Sequence, residues 1–431
     1  MKGLLDMVAR HKRGEPAGVY SLCSAHPSVI GCAIKQAKLH ETSLLVEATC
    51  NQVNQFGGYT GMQPADFRRF VHELAAALEF DTAGLWLGGD HLGPNPWRHE
   101  SADVAMFKAT QMVAQYVAAG FRKIHLDCSM ACAGDAEPLP EPVIAQRVVL
   151  LCSAAEAAWR EAGGEAPVYV IGTEVPVPGG ATEALHELAV TAPQAARDTI
   201  AAHQAAFTKA GLDAAWSRVI ALVVQPGVEF DHHKVIDYQP DKARQLSACI
   251  EADPQFIFEA HSTDYQTPQN LQALVRDHFA ILKVGPGATY ALRETLWALA
   301  AICRELPGAD SSDDLRSVAL ETMRQDPRHW RSYYHDPARQ TLDLQYSLSD
   351  RIRYYWRYAE VQHACESMLA RLRRASVPLT LLSQYLPRHY ELVRGGRLSP
   401  AVDDLLEEGI ALALRPYMNA CQMRRLHESA C

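Results

Sequence analysis

No stretch of the 431-residue chain approaches the ~20 consecutive apolar residues that a membrane-spanning helix needs, so the sequence holds no candidate span. No Gly-x-Gly-x-x-Gly follows the first expected strand, and Gly-x-x-x-x-Gly-Lys-Ser/Thr occurs nowhere. Nucleotide cofactors and a P-loop kinase therefore lack support. Basic charge is also short. The 41 Lys and Arg stand against 50 Asp and Glu, a net charge of −9 with pI near 6.1, which argues against a nucleic-acid or anionic-membrane surface. Paired cysteines are missing too. Eleven are scattered, several inside apolar runs (Cys32, Cys152, Cys249, Cys303), as expected of reduced, buried thiols in a cytoplasmic protein. Cys128 and Cys132 sit four apart, but no second pair completes a structural zinc site. Asp6 comes too early for the apolar region of a signal peptide.

What the chain does have is a large apolar fraction, 48%, with 21% charged residues, the balance of a soluble globular protein with a sizeable core. The length suits a barrel of about 250 residues or more with an extension. Short Val/Ile/Leu-rich runs at 17–22, 44–46, 85–89, 123–126, 168–173, 219–224, 256–258 and 279–282 read as strands buried on both faces. Helical spacing follows each of them, as in 64–79, where Phe67, Phe70, Val71, Leu74 and Leu78 recur three and four apart. A helix at 4–11 precedes them. Strand–helix alternation also suits a doubly wound open sheet, but eight regular units favour closure. The expected fold class is α/β: a (β/α)8 TIM barrel over residues 1–308 with an α-helical C-terminal extension over 309–431, beyond the polar hinge Asp310-Ser-Ser-Asp-Asp.

Nearly every expected strand stops on a polar residue. Leu85-Trp-Leu-Gly-Gly-Asp-His-Leu-Gly-Pro94 is the sharpest case, an apolar run closing on Asp90-His91 before a Gly-Pro turn. In a barrel all such ends converge on one mouth, where the chemistry of the fold sits. Glu47, Asp90, His91, Asp127, Glu174, Gln225, Glu259, His261 and Lys283 are expected to ring it. His91 and His261, on the third and seventh strands, can face each other as ligands of a divalent metal, with Glu174 and Gln225 as oxygen donors. Zinc is the first choice, and manganese, nickel or cobalt are alternatives. Asp90, Asp127 and Glu47 are candidates for moving protons beside the metal, with Glu259 a further acid. Asp90 adjoins His91 and should point to the opposite face unless a turn at Gly89 brings both inward.

Lys283 suits a Schiff base, or equally an ion pair or a phosphate. Ser262 and the turn Gly285-Pro-Gly287 stand where barrels commonly seat phosphate through backbone N–H groups and a helix N-terminus, although such a turn also forms for backbone reasons alone. The amide-rich loop after the second strand places Asn51 and Gln52 near substrate. In the extension, Arg351 and Arg353 on the first turn of an expected helix could reach over the mouth to an anionic substrate, or form a solvated basic face.

Together, Leu45-Val-Glu-Ala-Thr-Cys-Asn-Gln-Val-Asn-Gln-Phe-Gly-Gly-Tyr-Thr-Gly61, Gly88-Gly-Asp-His-Leu-Gly-Pro94, His125-Leu-Asp-Cys-Ser129, Gly172-Thr-Glu-Val-Pro176, Glu259-Ala-His-Ser-Thr-Asp-Tyr265 and Leu282-Lys-Val-Gly-Pro-Gly287 resemble the accessory subunit of D-tagatose-1,6-bisphosphate aldolase. Members of that family are sometimes labelled tagatose-6-phosphate kinases. The resemblance spans nearly the whole chain. It implies a non-catalytic subunit that supports the activity and stability of a zinc-dependent class II aldolase partner, and a remote kinship with that partner. On that kinship Asp90 matches the proton-transfer acid, and His91 and His261 match two zinc ligands. The third histidine falls at Gln225, a departure that Glu174 could make good with a harder metal. Some relatives are described as ketohexose 4-epimerases. Two functions follow. One is a metal-dependent ketohexose enzyme working by retro-aldol and aldol steps at C3–C4, on tagatose, fructose or their phosphates. The other is the stabilising subunit. A small ketose or ketose phosphate is the expected ligand. A class II aldolase chain or further copies of this chain are expected as protein partners, with neither nucleic acid nor membrane.

Overall fold

The computed structural model describes residues 2–175, 181, 188–307 and 314–421. Eight parallel strands close into a barrel: β1 (Val19–Leu22), β2 (Leu44–Thr49), β3 (Leu85–Leu92), β4 (Lys123–Leu126), β5 (Val168–Ile171), β6 (Val219–Val224), β7 (Ile257–Ala260) and β8 (Ile281–Val284). They pair in chain order, and β8 returns to β1 in the register Val19↔Ile281 to Leu22↔Val284. β6, Val-Ile-Ala-Leu-Val-Val, is buried at every position, as a parallel strand between a filled lumen and a helical layer must be. The expected barrel is the observed one.

Proline opens many of the helices. Pro27, Pro64, Pro193, Pro240, Pro268 and Pro286 each stand in a first turn, where a missing N–H costs nothing and the fixed φ already suits a helix. Along Pro64–Ala77, Phe67, Val71 and Ala75 are buried four apart, the stripe that faces the barrel wall.

Four strands run further than the pattern predicts, β3 among them, which continues through Asp90 and His91 to Leu92. β2, β7 and β8 are expected to stop just before Glu47, Glu259 and Lys283, yet each continues through its charge. The reason is the lumen. These side chains point into the barrel and meet opposite charges across it, so no strand has to end to bring them to water.

On the mouth side, β6 is followed by a small antiparallel hairpin, Glu229–Phe230 with Val235–Ile236. Beyond residue 314 every described element is helical. The stretch between the helices Gln340–Tyr346 and Ala359–Arg374 crosses the mouth and is tied to its loops. Leu348 N donates to His232 O at 2.9 Å, Tyr265 Oη donates to Leu348 O at 2.6 Å, and Arg357 donates to Tyr59 O. The last helix, Val402–Cys421, returns to the barrel wall against Pro27–Leu39, Pro268–Arg276 and Pro286–Glu305. Gly18 N donates to Cys421 O at 3.0 Å at its end. The C-terminal helices and the barrel share one hydrophobic core. Among the described residues no helix is long and apolar enough to cross a membrane, and all ten cysteines are free thiols.

Gly409 sets how closely the last helix approaches Pro286–Glu305, because a Cβ there would fall 1.9 Å from Thr295 Oγ1. Gly409→Ala should destabilise the protein by about 1–3 kcal/mol in urea unfolding. That loss is expected despite alanine's helix propensity being ~1 kcal/mol better, and Thr295→Ala in the same chain should restore part of it.

Candidate active site

β4 and the residue after it read Lys123-Ile-His-Leu-Asp127. Side chains two apart share one face of a strand, so Lys123, His125 and Asp127 all enter the lumen while Ile124 and Leu126 face the helices. β3 has the harder task of turning two neighbours inward. Its register against β4 passes from Gly89↔Ile124 to Leu92↔Leu126, which places one extra residue on β3. His91 adopts φ +49 at that point. This bulge, rather than a turn at Gly89, brings both Asp90 and His91 inside. Gly88 clears the way below them, since a Cβ there would lie 2.5 Å from Glu47 Oε1.

The floor of the site is a lattice of buried charges. Lys123 Nζ lies 2.8 Å from Glu47 Oε1 and also contacts Glu259 Oε2. Lys283 Nζ contacts Glu47 Oε2, with Asp90 Oδ1 at 2.8 Å and Glu259 Oε1 at 3.5 Å. Lys123, Glu47 and Glu259 are fully buried.

Three imidazoles stand on this floor, their ring centroids 4.7–5.2 Å apart. Each has one nitrogen on a carboxylate: His91 Nδ1 on Asp127 Oδ2 at 2.8 Å, His125 Nδ1 on Asp90 Oδ1 at 2.9 Å, and His261 Nε2 on Glu259 Oε1 at 2.9 Å. Of the remaining nitrogens, His91 Nε2 and His261 Nδ1 are 3.1 Å apart, and His125 Nε2 is buried with no partner. An imidazole that gives its N–H to a carboxylate presents a lone pair on the other nitrogen, the arrangement that supports metal-bound histidine. This describes His91 and His261, whereas His125 Nδ1 also faces the backbone N–H of His91 at 3.2 Å. Asp90, His125, Glu259 and His261 each offer a ligand atom within 4.8 Å of the others. The four carboxylates Glu47, Asp90, Asp127 and Glu259 outnumber the two lysines by two, so a divalent cation would balance the cluster. Imidazole mixed with carboxylate suits zinc and its first-row neighbours.

The same charges set the protonation states. Burial alone would raise Asp90, but His91, Lys283 and the His125 hydrogen bond outweigh it and hold the carboxyl well below its usual range. Glu259 is depressed likewise, its burial overcome by Lys123 and Lys283. Lys283 is raised well above an ordinary lysine, because Asp90, Cys23 and the two glutamates overcome burial. A firmly protonated ammonium is a poor Schiff-base nucleophile. His91 is drawn up against its burial by Asp90 and Asp127, whereas burial pushes His261 down to about 3.

Asp90, His91, His261, Ser262, Lys283 and Arg353 line a small inner cleft of about 80 Å³, with Asn51, Gln52 and Gly285 also on its wall. An outer chamber of about 470 Å³ shares Cys23, Gln52, Tyr59, Gly285 and Arg353 with it. Other expected residues lie elsewhere. Glu174 is exposed and accepts from Thr191 Oγ1, and Gln225 Oε1 is occupied by the N–H groups of Gly227 and Val228 at 2.8 and 2.9 Å. Neither reaches the imidazoles, because each is spent on its own loop. Glu47 sits in the floor between two ammonium groups. Asp127 accepts from Ser129 N and Oγ as well as from His91, which makes it a positioning group for that ring. Gly287 N donates to Asp264. Arg351 is buried, donates to His329 O at 2.6 Å and lies over the Tyr333 and Tyr354 rings, away from the cleft. Among the residues that sequence reasoning missed are Lys123 and His125. Their signal was present as a two-residue alternation of polar side chains through a short apolar strand.

The model of a family described as D-tagatose-1,6-bisphosphate aldolase subunit GatZ/KbaZ-like matches residues 4–422. Among solved structures, that of a probable tagatose 6 phosphate kinase from Sinorhizobium meliloti 1021 aligns at 46% identity and a TM-score of 0.87, covering 94% of this chain and 100% of its own. The YdjI aldolase from Escherichia coli K12 aligns over 87% of this chain and 98% of its own, at 9% identity and a TM-score of 0.41. The fructose-bisphosphate aldolase from Campylobacter jejuni aligns over 86% and 92%, at 13% identity and a TM-score of 0.41. Both are too distant to carry an argument.

Lys123→Met strips Glu47 and Glu259 of a buried partner and should cost about 3–5 kcal/mol in denaturant unfolding. Acid should also weaken the fold through its buried histidines. Burial holds His203 at about 4 and His261 at about 3, while unfolded histidine titrates near 6.5. Between pH ~6.5 and those values the unfolded chain binds protons that the folded one refuses, so stability falls as pH falls. Melting temperature should drop steadily from pH 7 to pH 4, and His203→Gln should flatten the slope.

Proposed function

Because the chain belongs to the D-tagatose-1,6-bisphosphate aldolase subunit GatZ/KbaZ-like family, we propose that it is itself a divalent-metal-dependent ketohexose enzyme that breaks and remakes the C3–C4 bond. Such a reaction is an aldol cleavage when the fragments leave. It is a 4-epimerisation, interconverting the fructose and tagatose series, when the aldehyde turns and is attacked on its other face. The observation that carries this reading is the trio His91, His125 and His261, each backed by its own carboxylate, around a cluster with two negative charges to spare.

His125 and His261, whose ligand atoms converge with those of Asp90 and Glu259, are the residues that would hold the ion, with the His91 ring against His261. Bound there, a divalent metal would act as a Lewis acid on the C2 carbonyl and the neighbouring hydroxyl of the ketose. Asp90 is the proton acceptor. Its Oδ1 is anchored by His125 and Lys283, while Oδ2 has only the Cys23 thiol at 3.6 Å and the His91 ring at 3.7 Å, which leaves it free for substrate. Asp90 Oδ2 takes the C4 hydroxyl proton, the C3–C4 electron pair moves towards the C2 oxygen, and a C4 aldehyde forms. Lys283, kept protonated, offers N–H to the negative charge as it develops. The same carboxyl returns its proton when the bond reforms. The inner cleft, with room for two or three waters at ~30 Å³ each, takes the reacting carbons and leaves the rest of the sugar to the outer chamber. The kinase activity in the Sinorhizobium protein's description is not carried over, since this chain lacks the glycine loop that would hold a nucleotide.

The second reading, a stabilising subunit for a class II aldolase chain, is favoured only by the family's description. The test is the purified single chain, supplied in turn with zinc, manganese, nickel or cobalt, and assayed with D-tagatose, D-fructose and their phosphates. Turnover without a partner, lost on chelation, is the expected result. Asp90→Asn should lower kcat by ~10²–10⁴, and Asp127→Asn should weaken metal affinity by about 10–100-fold. Silence with every metal and sugar, together with a rise in the activity of an added class II aldolase, would overturn the catalytic reading.

A further inference from the structure

Gly285 and Gly287 stand at the loop after the last barrel strand, at the start of the twenty-residue helix Pro286–Glu305. Backbone N–H groups at such a place are where barrels commonly seat a phosphate. Here both N–H groups are already engaged by a single atom: Gly285 N and Gly287 N donate to Asp264 Oδ1 at 2.9 and 2.7 Å. Asp264 comes from the loop after β7, is 3% exposed, and lines the same inner cleft as Asp90, His91, His261 and Lys283.

We infer that Asp264 is a built-in anion that fills the phosphate seat of this barrel, so that the end of the ketose reaching this loop carries a hydroxyl and not a phosphate. The inference rests on the ketohexose chemistry proposed above and specifies its substrate class. A phosphate entering the cleft would lose the two N–H donors to Asp264 and meet a carboxylate in their place. A sugar hydroxyl can instead donate to that carboxylate. Burial raises Asp264 to about 6, with the two N–H bonds and the Arg353 charge restraining it, so it is mainly ionised at neutral pH. Lys283 is engaged by Glu47, Asp90 and Glu259, and Arg353, the other cation on this wall, does not reverse the preference. Its Nη1 donates to Ser349 O and Asp350 O, and its Nη2 donates to Tyr354 Oη.

The experiment is titration calorimetry on the full chain and on Asp264→Ser, using inorganic phosphate, D-tagatose and its 1- and 6-monophosphates as probes. Asp264→Ser, with both glycine N–H groups released, should bind inorganic phosphate about tenfold or more tighter than the wild type. Equal binding in the two proteins, or none in either, overturns the inference. If Asp264→Ser does not fold, Asp264→Asn keeps an acceptor for both N–H groups and serves as the folded variant. It should narrow the gap between tagatose and its monophosphates by relieving repulsion alone. In the wild type, free tagatose should bind about tenfold or more tighter than the one monophosphate whose phosphate reaches this loop; equal or tighter binding of both monophosphates overturns the inference. These readouts need no turnover. An inactive chain that still prefers the free ketose removes the aldol reading and leaves Asp264's role, whereas an active chain that prefers both monophosphates does the reverse.

Discussion

Everything at the mouth of this barrel stands on the ion lattice of Glu47, Lys123, Glu259 and Lys283 in its lumen. Such a lattice is not there for stability. Moving charges out of water costs several kcal/mol each, and well-packed apolar residues of similar volume often serve as well or better. What the lattice provides is orientation. Lys283 reaches from Glu47 to Asp90 and fixes the oxygen that faces away from substrate. Glu259, held by Lys123, fixes the His261 ring by its Nε2. The acid and the imidazole that would act on a sugar are therefore positioned from below, by the charges of the floor.

Two backbone devices bring the remaining groups to that floor. The bulge in β3, with His91 at positive φ, lets consecutive residues serve one cavity. The segment around residues 346–358 roofs the mouth and places Arg353 on the wall between inner cleft and outer chamber. The loop after β8, free in many barrels to hold a phosphate, is closed from within by Asp264. Floor, wall and loop together describe a small polar cleft with a wider space to one side.

This distribution bears on the choice between enzyme and accessory subunit. A subunit that only stabilises a partner acts through its outer surface, and its lumen could be filled with valine and leucine at a gain in stability. The lumen here instead holds four carboxylates, two ammonium groups and three imidazoles, almost all paired. Burying that many charged and polar groups costs stability that well-packed apolar residues of similar volume would not.

The strand–helix alternation, the closure into eight units and the starts of the helices are legible in the sequence because they arise from local rules: a two-residue period for strands, a 3.6-residue period for helices, and proline's fixed φ. Asp90, His91, His261 and Lys283 were legible as polar residues at strand tips. His125 and Lys123 were not, since a charge inside an apolar strand reads as an interruption until the strand is known to border a polar lumen. Which tips turn inward was decided by each loop's own hydrogen bonds, which drew Glu174 to Thr191 and Gln225 to the Gly227 and Val228 amides. That Asp264 occupies the Gly285–Gly287 turn, that Lys123 lies between Glu47 and Glu259, and that three imidazoles meet only appears once the barrel closes. Local periodicity resides in consecutive residues, whereas a partner across the lumen depends on the stagger of eight strands around a closed ring.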